Sequence, residues 1–192
     1  TSGIILLAKN RLAARHFQMA IERRAVTKSY LAILEGSLTE AREVDAAIGK
    51  DPDSIIHCKS AVRTNGKKQT AQTRFKPIHS SSDYTLAEVE PLTGRKHQIR
   101  VHSQHIGHSI VGDKLYGPDE NFFLDFIESG WTEKLAGTLP FNRQALHAFK
   151  TKFDLESGPR SFSAPPTEDF VKFCENQLNL PKSDLLKLIS SS

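Results

Sequence analysis

The chain has 192 residues, 38% of them hydrophobic, enough for one ordinary domain whose core needs neither disulfides nor metal. Its 26 basic and 22 acidic residues leave a formal charge of +4 and an isoelectric point near 9.1, a mildly basic surface that permits nucleic-acid binding without demanding it. Cys58 and Cys174 lie too far apart for a secreted disulfide scaffold or a zinc site, and the longest apolar run, Ile4 to Ala8, is too short to span a bilayer, so a soluble cytoplasmic protein is expected.

In chain order, Thr1-Ser2-Gly3 runs into Ile4-Ile5-Leu6-Leu7-Ala8, which has the length and β-branched content of a buried strand; no Met precedes it, and the start reads as cut in mid-domain. Asn10 is a good helix N-cap, and Ala13, Phe17 and Ala20 follow at the spacing of one helical face. That helix should end near Arg23-Arg24, and its Arg11, Arg15 and Arg23 read as a solvated face. Ser29 to Leu34 is apolar on both faces and stopped by Gly36, so it belongs inside a sheet. From Thr39 to Lys68 the chain is polar and turn-rich, with short strands expected at Ile55-Ile56 and Ala61-Val62. Thr70 to Ile78 and Tyr84 to Glu90 read as a hairpin, and Glu120 to Leu135 as an inserted helix and loop rich in phenylalanine. A strand pair is expected at Ala145 to Phe149 and Lys152 to Leu155, then a short helix over Leu178 to Ile189 interrupted at Pro181, and a frayed serine tail.

The densest chemistry lies in Leu92-Thr93-Gly94-Arg95-Lys96-His97-Gln98-Ile99-Arg100-Val101-His102, where a glycine turn leads into a crowd of cations suited to phosphate or a carboxylate partner. If the block is helical, Arg95 and Ile99 share one face while Lys96 and Arg100 share another. An ordinary basic helix with one buried aliphatic seam fits the same residues. His97, His102, His105 and His108 also crowd the segment, but no cysteine or tight helical histidine pair joins them, so no metal is expected; a zinc hydrolase using these histidines would lose activity on chelation.

These blocks carry a resemblance. Thr1 to Lys9, Lys28-Ser29-Tyr30-Leu31-Ala32 and Leu92 to His102 resemble, in order, three successive motifs of the RluA-type RNA pseudouridine synthases. Gly107-His108-Ser109-Ile110-Val111-Gly112-Asp113-Lys114-Leu115-Tyr116-Gly117 resembles a fourth, with Ser109 where the family usually has Pro. Leu146-His147-Ala148 and Phe162-Ser163-Ala164-Pro165-Pro166 resemble its last landmarks.

The resemblance implies an α+β fold, a mixed, mostly antiparallel β-sheet with flanking helices and an RNA cleft over one face, which agrees with the hairpin-rich reading above. It implies a catalytic domain over residues 1–175 and a C-terminal helix and tail over 176–192. It also implies isomerisation of selected uridines in ribosomal or transfer RNA: an aspartate attacks or deprotonates the ribose, the glycosidic bond breaks, and the rotated uracil rejoins through carbon, with no cofactor or metal. That aspartate falls three positions ahead of Thr1, so the 192-residue chain is expected to be inactive. Tyr30 resembles the active-site tyrosine that stacks on the flipped base, Arg95 the arginine that pairs with the aspartate, and Leu146 the apolar residue that closes over the base. Lys96 and Arg100 are candidate RNA contacts, and Lys9, Lys67 and Lys68 candidate backbone contacts. His97 and His102 stay outside the catalytic set, because a histidine beside an arginine on a helix is more often structural. The family expectation is a monomer. The reading from another class is a noncatalytic RNA-binding module or an inactive synthase fragment.

Overall fold

The structure, a computed structural model, describes residues 1–155 and 158–190. Its elements in chain order are β1 (Ser2–Gly3), α1 (Arg11–Glu22), β2 (Val26–Glu35), β3 (Arg42–Asp45), β4 (Ile48–Lys50), β5 (Ser60–Val62), β6 (Lys68–Gln69), β7 (Gln72–Ser80) and β8 (Tyr84–Pro91). There follow α2 (Gln98–His105), α3 (Asn121–Ser129), α4 (Glu133–Thr138), β9 (Leu146–Leu155), β10 (Gly158–Ser163), α5 (Glu168–Gln177) and α6 (Lys182–Ser190). This is the expected α+β architecture. The main sheet runs β1-β9-β2-β8-β7-β3, with β10 also on β9; β1 is parallel to β9 and the other pairings are antiparallel. A small sheet, β5-β4-β6, sits apart from it.

β2 lies in the middle of the main sheet, which accounts for its apolar residues on both faces: Leu31, Ala32, Ile33 and Leu34 are almost fully buried. On β7 the alternation is regular, with Thr73 and Phe75 inward and Arg74 and Lys76 exposed. Asn10 caps α1 as expected, its Oδ1 accepting from the Ala13 N–H at 2.9 Å, and Phe17 on that helix packs edge-on against Phe153.

Several expectations need correction. Ile4 to Ala8 is not a buried strand: only Ser2–Gly3 pairs, and Ile5 and Leu7 are each 79% exposed. After the Ile4 N–H donates to the Ala148 carbonyl, the backbone finds no further strand to pair with, and an apolar run without a neighbour buries nothing. Gly3 is required where it is, because it has φ +96° and a Cβ there would overlap the Ala148 carbonyl. Ala145 to Phe149 and Lys152 to Leu155 are not a pair but one long strand, β9, whose hairpin partner is β10. Ile55-Ile56 forms no strand, while β4 and β6 complete the small sheet. The block after Leu92 turns helical only at Gln98, so Lys96 and Arg100 do not share a helical face.

At the C-terminal end, position 175 falls inside α5, a helix not foreseen. Leu178, Leu180, Leu185 and Ile189 join the same core as Phe170 and Phe173, so the α6 region packs as part of the sheet's own hydrophobic core. The last two serines of the tail lie outside the described residues.

Candidate active site

A cleft of about 950 Å³ opens where the start of the chain, β2, the loop before α2 and the start of β9 meet; Thr1, Tyr30, Arg95, His97, Arg100 and Leu146 all line it. Four segments far apart in sequence supply these side chains, and the hydrogen bonds that join the segments are specific. His147 Nε2 lies 3.1 Å from the Ala164 carbonyl, and its Nδ1 lies 2.9 Å from Ser2 Oγ. Since a carbonyl only accepts, the Nε2–H donates to it and Nδ1 accepts from the serine hydroxyl. One buried imidazole thereby ties three of the motif blocks together: Thr1-Ser2-Gly3, Leu146-His147-Ala148 and the segment ending in Ala164. Burial holds this imidazole below the ordinary histidine range, so it stays neutral, as the bonding requires.

Tyr30 is half-buried in β2, opposite Val89 on one side and Ala148 on the other, where the register with β9 shifts between Ser29 and Tyr30. Such a shift re-aims a side chain, here into the cleft wall. Burial raises the phenol above its usual value, so it is a proton-bearing donor at neutral pH. Leu146, 4% exposed, belongs both to the main core and to the cleft lining.

Arg95 sits in the loop before α2. Its Nε donates to the Thr70 carbonyl at 2.9 Å, while its terminal nitrogens take no partner among the described residues. The loop is pinned by Gln98, only 4% exposed, which sequence reasoning passed over. Gln98 Oε1 accepts from Thr93 Oγ1 at 2.7 Å and from the Arg95 backbone N–H at 3.0 Å; its Nε2 donates to the Gln72 carbonyl at 2.8 Å and to Thr73 Oγ1 at 2.9 Å. A side-chain amide with donors and acceptor all engaged fixes the loop against β7. Nothing in the local sequence marks this glutamine, because the two acceptors that anchor its Nε2, on Gln72 and Thr73, come from a strand more than twenty residues away.

Arg100 lines the cleft but is committed inward. Its Nε and Nη2 donate to the two Asp113 oxygens at 2.6 and 2.7 Å, and its guanidinium lies 4.7 Å from the centre of the Tyr116 ring. Asp113, 1% exposed, also accepts from the Leu115 and Tyr116 backbone N–H groups at 3.0 Å each. Lys96 is exposed and does not line the cleft, so the structure does not bring it together with Tyr30, Arg95 and Leu146.

The histidines do not converge. His102 is bound between Thr73 Oγ1 and the Ala46 carbonyl, His108 meets the Glu35 carbonyl, and among the described residues no three histidine, cysteine, aspartate or glutamate side chains gather as metal ligands. Nor is any helix among them long and apolar enough to cross a membrane.

The RNA pseudouridylate synthase family profile matches residues 1–105. Ribosomal large subunit pseudouridine synthase C of Vibrio vulnificus is 35% identical over 179 residues, covering 92% of this chain and 52% of that protein. An uncharacterized RNA pseudouridine synthase of Bacillus subtilis, YlyB, is 34% identical over 182 residues, with the same 92% and 52% coverage. The chain thus spans about half the length of the curated relatives it matches. In fold it is similar to human RNA pseudouridylate synthase domain containing 4, with a TM-score of 0.67, 23% identity, and coverage of 86% of this chain and 67% of that one.

Proposed function

The chain belongs to the RNA pseudouridylate synthase family, and from that premise we propose that it forms the greater part of the uridine-isomerising site of an RNA pseudouridine synthase. The observation that carries the proposal is the meeting of Thr1, Tyr30, Arg95 and Leu146 around one cleft. The Tyr30 ring offers a stacking surface for a uracil drawn out of its RNA helix, and its hydroxyl a proton that burial keeps in place. Leu146 closes the base-binding wall with apolar surface. Arg95, anchored through Nε and with no partner for its terminal nitrogens among the described residues, is built to hold a carboxylate in a fixed direction. That carboxylate belongs to the aspartate expected three positions ahead of Thr1. Thr1 lines the same cleft as Arg95. Arg100 and Lys96 supply positive potential for the RNA backbone, Arg100 from the cleft wall and Lys96 from outside it.

The fold supports base extraction in physical terms. An enzyme that must reach the ribose and both faces of a base has to unstack it, at a cost of a few kcal/mol that pocket contacts repay, so loops and bulges are favoured targets. The names of the bacterial relatives make large-subunit ribosomal RNA the first substrate to test.

The test is tritium release from RNA labelled at uracil C5, run on the 192-residue chain and on a chain carrying the aspartate ahead of Thr1. Release from the longer chain that disappears in Tyr30→Phe and Arg95→Ala establishes the reaction and both residues. Salt-sensitive RNA binding without release from any unmodified RNA would overturn it in favour of a noncatalytic RNA-binding module.

A further inference from the structure

His97 precedes the first residue of α2 and lines the cleft beside Arg95 and Arg100. Its backbone is left-handed, with φ +57° and ψ +18°, an arrangement that costs a non-glycine residue about 1 kcal/mol and turns the side chain out of line with the helix that follows. The imidazole Nδ1 lies 2.9 Å from Tyr116 Oη, and the rings meet edge to face at 5.6 Å.

The tautomer follows from counting donors around the phenol. Tyr116 is fully buried, so its O–H proton must have an acceptor inside the protein. Its oxygen already accepts the Ser60 backbone N–H at 3.0 Å, and among the described residues its one other hydrogen-bond contact is His97 Nδ1. The imidazole Nδ1 is the well-placed acceptor. If Nδ1 carried a proton, two donors would face each other and the phenol proton would be stranded. His97 is therefore held with its proton on Nε2. That nitrogen takes no partner among the described residues, nor is it among their buried polar atoms lacking one, so it is open to solvent on the cleft side.

The surrounding charges agree. Burial, then Arg100 and Lys96, hold the imidazole down at about 4, against a smaller opposing pull from Asp113. Arg100 is met by Asp113, but Arg95 lines the same cleft with no partner for its terminal nitrogens among the described residues, which makes the cleft attractive to an anion.

We infer that His97 is a substrate-contacting residue, a neutral imidazole oriented by Tyr116 so that its Nε2–H donates one hydrogen bond to an RNA phosphate oxygen entering the cleft beside Arg95 and Arg100. The assignment of the acceptor rests on the RNA reading above; the tautomer rests only on this geometry. A neutral donor adds directional binding without releasing a counterion, so its effect differs from that of a lysine or arginine on a phosphate.

Two measurements on the 192-residue chain test this, and they fail separately. Long-range proton–nitrogen NMR with nitrogen-15 histidine should show His97 as the uncharged Nε2–H form down to about pH 5. In Tyr116→Phe, which removes the hydroxyl that orients Nδ1, it should mix tautomers. An Nδ1–H form, or ordinary titration in the unaltered chain, overturns the tautomer whether or not RNA binds. The second measurement is RNA affinity against salt for His97→Asn, a change chosen because asparagine accepts a positive φ and leaves the backbone undisturbed. Affinity should fall about tenfold or more, the worth of a hydrogen bond to a charged group, with the slope of log affinity against log salt unchanged. Undiminished affinity, or a reduced slope, overturns the phosphate contact. Failure of the unaltered chain to bind any RNA would overturn the acceptor and the RNA reading together, and would leave the NMR result standing.

Discussion

Asp113→Asn is the perturbation whose size follows most directly from the structure. The carboxylate side chain is 0% exposed and the Arg100 side chain 15% exposed, and they are joined by two parallel bonds. Asparagine keeps one oxygen for the Leu115 and Tyr116 N–H groups, but it points an amide at a guanidinium and strands a buried cation. Removing one partner of a buried pair costs about 3–5 kcal/mol; Arg100 reaches the cleft and can be partly solvated, so the lower end, about 3 kcal/mol, applies. Asp113→Ala also leaves the Leu115 and Tyr116 backbone N–H donors without their acceptor, about 1 kcal/mol each, giving a loss of about 5 kcal/mol. Urea unfolding followed by circular dichroism is the assay, with a fall of about 1–2 M in midpoint expected for Asp113→Asn at unchanged slope. Replacing Arg100 by methionine in the same chain should recover part of the loss, because the pair acts as a unit. A loss below about 1 kcal/mol for Asp113→Asn, or strict additivity in the double variant, would refute the reasoning.

Leu146→Ala should cost about 2–4 kcal/mol in the same assay, because the side chain serves the core as well as the cleft; an unchanged midpoint would make it a cleft residue only. Burial pushes the Cys174 thiol up to about 12, whereas Cys58 is only half-buried, so iodoacetamide at neutral pH should modify Cys58 and spare Cys174 in the folded chain; equal rates would contradict this. The pH dependence has a defined sign. His97, His102 and His147 are all held below the ordinary value of about 6.5, so between that value and their folded ones the unfolded chain binds more protons. Stability is therefore complete above about pH 6.5 and is lost as pH falls toward about 4; the loss should be shallower in His97→Asn, and parallel curves would exclude a contribution from His97. Lys96→Ala should lower the magnitude of the salt slope of RNA binding by about 1 while leaving stability unchanged; an unaltered slope would remove Lys96 from the RNA contacts.

Local patterning was enough for the parts of the fold that depend on near neighbours. The Asn10 cap of α1, the buried central strand around Leu31 to Leu34 and the hairpin of β7 and β8 are all readable from spacing and turn residues, because their stabilising contacts are close in sequence or demand a recognisable alternation. The resemblance added the site itself, naming Tyr30, Arg95 and Leu146 from separate blocks that do meet around one cleft. Patterning failed where a long-range partner decides the outcome. Ile4 to Ala8 has the composition of a strand, but a strand exists only where another backbone pairs with it; Ala145 to Leu155 looked like a pair because the hairpin's second arm, β10, is polar.

What the sequence by itself determined, then, was the α+β class, the central strand and hairpin, and, through motif order, the family and the cleft residues. Only the tertiary structure decided that Gln98 clamps the loop carrying Arg95, that His147 joins the chain's start to β9 and to Ala164, and that Asp113 turns Arg100 inward and Tyr116 sets the tautomer of His97. The physical reason is that a hydrogen bond is set by atoms within about 3 Å, and the partners of His147, Arg100 and His97, like the β7 anchors of Gln98, come from parts of the chain that composition and periodicity do not relate.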